Sequence, residues 1–92
     1  MAEATGREVV VVNRLGIHAR AAAKFVTLAS KFDAEIVVSN ERRTVNGKSI
    51  MGVMMLAAGK GTRIQILAEG TEANMAVEEL ARLVADRFGE DE

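Results

Sequence analysis

The sequence predicts an α+β domain in which helices pack on one face of a sheet, and three observations carry that prediction. Four consecutive valines open the regular structure, and the alternating set Ile64, Ile66 and Ala68 follows a glycine-rich break. Between and after these runs, apolar residues return at three- and four-residue steps. Period two marks a half-buried strand and period 3.6 an amphipathic helix. The resulting order is strand, helix, strand, strand, helix, strand, helix, a pattern of the α+β class.

The first strand is expected over 8–13, because Val9, Val10, Val11 and Val12 are β-branched, pack well on a pleated surface and lose rotamer freedom in a helix. Residues 13–16 break that pattern. From Ala19 the chain becomes alanine-rich, and Ala22, Phe25, Val26, Ala29 and Phe32 form one helical stripe ending near Asp33. Ile36, Val37 and Val38 then mark a strand over 34–39, and a polar turn at 40–42 joins it to a short strand over 43–46. Asn46-Gly47 ends this hairpin. Ser49 stands at the N-cap position of a short helix over 50–56, with room for about two turns. Ile64, Ile66 and Ala68 alternate with Arg63, Gln65 and Glu69, which is the clearest strand in the chain. Val77, Leu80, Val84 and Phe88 mark the inner stripe of a last helix, with Glu78 and Arg82 as an outer i,i+4 pair. Gly89 and an acidic tail follow.

Composition narrows the function. Ninety-two residues suit one domain, 1–92, with a single core and no room for separate catalytic and cofactor lobes. With 49% hydrophobic residues and charges of both signs along the chain, a soluble globular protein is expected rather than a disordered one. Twelve Lys and Arg against 13 Asp and Glu give a net charge of −1, and only three Phe are available for stacking, which disfavours nucleic-acid binding. The absence of cysteine removes disulfides, thiolate nucleophiles and Cys-based metal sites, and is compatible with a reducing cytoplasm. The opening MAEATGRE carries no apolar run, so neither a secretory signal nor membrane insertion is expected there. A monomer in the cytoplasm, without cofactor or metal, is the expectation.

The only histidine, His18, lies in NRLGIHARAAAKF, after the Gly16 turn and at the start of the first helix. A helix start presents unpaired N–H groups and partial positive charge, the ordinary place to hold an anion. An imidazole at that edge is a neutral nucleophile near physiological pH, and Arg20 offers planar donors to a doubly charged phosphoryl group. A lone surface histidine that packs or caps the helix remains the alternative. Other chemistries lack their parts. One His without Cys makes a poor metal site, Ser30, Ser39 and Ser49 lack a nucleophile-elbow setting, and Gly47-Lys48-Ser49 has Arg42 where a phosphate loop needs glycine.

The short second helix is apolar all round: Ile50, Met51, Val53, Met54, Met55 and Leu56. A helix lying on a sheet turns only part of its circumference inward. If Val53 and Leu56 face the core, Met51 and Met55 lie on the far side with Met54 between, an adaptable apolar patch suited to docking. Cover by neighbouring segments is the alternative.

The segment Gly16-Ile17-His18-Ala19-Arg20-Ala21-Ala22 resembles the active-site loop of the HPr family, the phosphocarriers of the bacterial phosphotransferase system. Lys48-Ser49-Ile50-Met51-Gly52-Val53 resembles the family's regulatory-serine segment, and the element order matches from about residue 7 to residue 88. The resemblance implies an open-faced sandwich, a four-stranded antiparallel sheet covered on one face by three helices. It implies that His18 accepts a phosphoryl group from Enzyme I and passes it to an EIIA-type protein. Ala19 and Arg20 would bind the phosphate, and Ile50, Met51, Met54, Met55 and Ala23 would form a shared docking face. Ser49 resembles the position phosphorylated by HPr kinase, a role compatible with an N-cap. The family usually has proline directly after the arginine, where this chain has Ala21; the nitrogen-related NPr branch often lacks it, which favours a regulatory relay over bulk sugar transport. The reading from another class is a binding module controlled at Ser49, with His18 incidental.

Overall fold

A computed structural model describes residues 3–92. Met1 and Ala2 of the opening segment lie outside the described residues. Strand β1 (Glu3–Val10), helix α1 (Ala19–Ala29), strands β2 (Glu35–Ser39) and β3 (Thr44–Asn46), helix α2 (Ile50–Met54), strand β4 (Arg63–Gly70) and helix α3 (Ala73–Ala85) follow the anticipated order. A 3-10 turn, Arg87–Gly89, closes the series. The strands form one four-stranded sheet in the order β1-β4-β2-β3, antiparallel at every pairing.

The alternation in β4 sets the layers. Ile64, Ile66 and Ala68 face the helices together with Ile36 and Val38 of β2, while Arg63, Gln65 and Leu67 stand on the open face. The helices answer with Ala22, Phe25 and Ala29 from α1 and Val77, Leu80 and Val84 from α3. Phe25 and Phe88 are fully buried, and each contributes on the order of 3–5 kcal/mol to this core by the usual cost of truncating a buried phenylalanine.

Several boundaries move. The first strand runs over 3–10 rather than 8–13, because β4 supplies eight partners for it and the ladder extends back to Glu3↔Gly70. Val11 lies beyond the strand but is still bonded, its N–H donating to the Thr62 carbonyl at 2.9 Å. The first helix stops at Ala29, where Lys31 and Phe32 donate to Leu28 and Ala29 and tighten the chain toward β2. The second helix ends at Met54, and Ala57 leaves it with φ of 50°. The last helix ends at Ala85 and does not include Phe88. Arg87 and Phe88 adopt left-handed backbone, with φ of 58° and 54°, and this reversal returns the Phe88 ring to the core. An apolar residue at the right helical step was thus brought inward by a turn. The outer pair holds: Arg82 reaches Glu78 at 3.4 Å and also Glu79 at 3.2 Å.

Candidate functional site

The loop between β1 and α1 is pinned on both sides. Ile17 N–H donates to the Ala58 carbonyl at 2.9 Å, and Gly61 N–H donates to the Val11 carbonyl at 2.7 Å, so residues 11–18 lie against the segment after α2. Gly16 turns there with φ of 71°, and a Cβ in its place would stand 2.5 Å from the Ala58 carbonyl oxygen. Only glycine fits that backbone approach. Asn13 is completely buried and donates from Nδ2 to the Gly16 carbonyl at 2.8 Å. The turn therefore has a fixed shape, and His18 follows it.

His18 is the N-cap of α1 in extended conformation, with φ of −84° and ψ of −178°. Its Nδ1 accepts from the Arg20 N–H at 3.2 Å. The capping alternative for a lone histidine is thus correct as far as it goes. The ring is not buried: its side chain keeps 27% of its exposure, which leaves room for a reactant. Ala19 and Arg20 are exposed at the helix start, as the anion-binding reading requires. The Arg20 guanidinium makes no hydrogen bond or ion pair among the described residues. Ala21 is fully buried, so the N–H it keeps where proline would have none does not face solvent.

The acidic tail holds a residue that sequence reasoning did not single out. Glu90 places Oε2 at 2.5 Å from His18 Nε2 and Oε1 at 2.9 Å from Asn13 Nδ2. The Asn13 N–H, then the His18 N–H, hold the Glu90 carboxyl below the ordinary carboxylate range, against a burial that would raise it. A carboxylate only accepts, so Nε2 carries the ring proton and Nδ1 carries the lone pair. The tail is tied down elsewhere too: Lys24 Nζ donates to the Phe88 carbonyl at 2.7 Å, and Arg14 reaches Glu92 at 2.9 Å. The phenylalanine helical step hinted that the chain continues inward at 88; nothing in the spacing of Glu90, Asp91 and Glu92 pointed to His18.

The second motif keeps its predicted geometry. Ser49 caps α2, its hydroxyl accepting from the Gly52 N–H at 3.0 Å. Val53 and Leu56 are buried, whereas Ile50, Met51, Met54 and Met55 are 44%, 71%, 38% and 55% exposed, so the short helix faces as expected. Ala23 is half-buried on α1, which packs against α2. Leu15, 66% exposed in the pinned loop, belongs to the same class of exposed apolar residue and was not anticipated, since one leucine in a turn carries no period.

Comparison with known proteins decides the family. The family model described as "PTS HPr component phosphorylation site" matches residues 5–86. The chain belongs to the HPr family. It is 48% identical to the phosphocarrier protein HPr of Xylella fastidiosa over 84 residues, covering 91% of this chain and 94% of that one. To the phosphocarrier protein NPr of Shewanella violacea it is 40% identical over 84 residues, 91% of this chain and 92% of that one. The solved HPr of Thermoanaerobacter tengcongensis superposes with a TM-score of 0.91 at 39% identity, over 96% of this chain and 99% of that one. HPr-family proteins are phosphoryl carriers of the phosphotransferase system and not enzymes. Among the described residues no helix is long and apolar enough to cross a membrane.

Proposed function

We propose that this HPr-family chain carries a phosphoryl group on Nδ1 of His18, taken from phosphorylated Enzyme I and passed to an EIIA-type protein in the cytoplasm. The observation that carries the reading is the placement of that lone pair at the open start of α1. In transfer, the Nδ1 lone pair forms the new N–P bond as the donor's P–N bond breaks, and that bond's electron pair returns to the donor imidazole. Once Nδ1 is bonded to phosphorus, the Arg20 N–H loses its acceptor and becomes free to donate to a phosphoryl oxygen. The N–H of Ala19, an exposed residue in the first turn, and the Arg20 guanidinium supply further donors and positive charge. Ile50, Met51, Met54, Met55 and Ala23 form the face on which successive partners dock.

Ser49 is the favoured regulatory position where an HPr kinase is present. Its phosphate would add roughly two negative charges beside this apolar face and weaken docking, while the helix start tolerates it. The decisive experiment is incubation with Enzyme I and radiolabelled phosphoenolpyruvate. Wild type becomes labelled and hands the label to an EIIA-type protein, whereas His18→Ala and His18→Asn do not; Asn keeps the N-cap and so separates chemistry from folding. Label on His18→Asn, or none on wild type, rejects the reading in favour of a docking module governed by Ser49.

A further inference from the structure

The contact between Glu90 and His18 joins two segments that lie 72 positions apart, in a tail that Lys24 and Arg14 also hold against this end of the molecule. We propose that Glu90 is a positioning residue for phosphoryl transfer, an inference that rests on the carrier reading above: its carboxylate takes the Nε2–H, keeps the Nδ1 lone pair on the reactive edge, and faces the cation that forms there.

Three features of the geometry support this. First, the contacts are directional. The Glu90 oxygens both accept, one from His18 Nε2 at 2.5 Å and one from Asn13 Nδ2 at 2.9 Å. Asn13 cannot turn its amide round without losing its bond to the Gly16 carbonyl at 2.8 Å. Its Oδ1 is buried without a partner, so the orientation is held at the expense of an orphaned acceptor. A protein that retains such an atom beside a reactive ring is holding a donor toward Glu90.

Second, the ring has two nitrogens and both are engaged from opposite sides. Arg20 N–H donates to Nδ1 and requires a lone pair there, while Glu90 requires a proton on Nε2. The two demands select the same tautomer. In a ring free to choose, a share of molecules would carry the proton on Nδ1 and could not attack phosphorus from it.

Third, the charge balance of the step favours a carboxylate at this place. The neutral ring attacks through Nδ1, the donor's P–N bond breaks, its electrons return to the donor ring, and the Nε2 proton stays where it was. The product ring is a phosphorylated imidazolium, and its positive charge lies against the mostly covered Glu90, whose side chain is 15% exposed. A carboxylate orients the histidine in hydrolytic triads and at metal-bound histidines alike, and in the triads it also stabilises the imidazolium.

Glu90→Ala and Glu90→Gln test the assignment with Glu92→Gln as control, since Glu92 pairs only with the exposed Arg14. The maximal rate and KM for phosphoryl transfer from Enzyme I are measured with nitrogen-15 spectra of the neutral His18 ring. Both Glu90 variants are expected to lose roughly tenfold or more in maximal rate with KM within about twofold, the scale on which carboxylate partners of reactive histidines act. Glu90→Ala is also expected to turn a single Nε2–H tautomer into a mixture. Glu92→Gln is expected to change neither. Unchanged rate and tautomer in the Glu90 variants overturn the proposal, as does an equal rate loss in Glu92→Gln, which would assign the effect to packing of the tail. Should wild type accept no phosphoryl group, the carrier reading fails, and a tautomer that ignores Glu90→Ala removes the positioning role separately.

Discussion

Replacing Gly16 by alanine probes the turn that seats His18, and its cost separates into two parts. The backbone at Gly16 has φ of 71°, where an L side chain costs about 1–2 kcal/mol. The new Cβ would also lie 2.5 Å from the Ala58 oxygen and 2.8 Å from the Gly59 Cα, both backbone atoms that cannot rotate aside. Forcing them apart adds about 1–3 kcal/mol by the usual cost of overpacking. The sum is about 2–5 kcal/mol, and in a 92-residue domain each kcal/mol moves the Tm by roughly 4–8 °C. Two other glycines serve as internal references. Gly61 has φ of 89° but nothing within 4 Å of a new Cβ, so Gly61→Ala carries only the backbone cost of about 1–2 kcal/mol. Gly59 has neither a positive φ nor a neighbour within 4 Å, so Gly59→Ala is expected to be neutral or to stabilise by about 0.4–1 kcal/mol through the unfolded chain. Urea titrations of the three variants give the ranking. A Gly16→Ala no more costly than Gly61→Ala would refute the close packing of this loop on residues 58 and 59.

Arg20→Ala is expected to keep its stability, because the N–H that caps Nδ1 belongs to the backbone, and to form phosphohistidine roughly tenfold more slowly for want of one charge-assisted contact; stopped-flow kinetics decide it, and an unchanged rate removes the guanidinium from the mechanism. Met51→Glu places a charge on a side chain that is 71% exposed, so Enzyme I binding by calorimetry should weaken while unfolding free energy stays within about 0.5 kcal/mol; a large loss of stability would mean that Met51 is covered. Because the Glu90 carboxyl is held below its ordinary value, chiefly by Asn13 and then His18, its stabilising contribution is complete above the unfolded-state value of about 4.3 and is lost as pH falls through the depressed folded value. Urea midpoints at successive pH values are therefore expected to fall more steeply on acidification in wild type than in Glu90→Gln, and parallel curves would contradict the assignment.

The period of apolar residues determined the elements and their inner faces, because burial acts on every residue of a stripe at once. Ile64, Ile66 and Ala68 declared β4, Phe25 and Leu80 declared the core sides of two helices, and Val53 and Leu56 correctly left Met51 and Met55 outside. Local chemistry was equally legible where donor and acceptor are close in sequence, as in the His18 and Ser49 caps. Strand limits were not, since β1 extends to Glu3 only because β4 offers it partners there. Nor was the surrounding of His18. Glu90 meets the ring, and Asn13 meets Glu90, only after α3 has crossed the sheet and the left-handed residues Arg87 and Phe88 have reversed the chain. His18 and its helix were thus set by neighbours along the chain, whereas the carboxylate that contacts its Nε2 is brought within reach by folding alone, since hydrogen bonds depend on distance in space and leave no period in sequence.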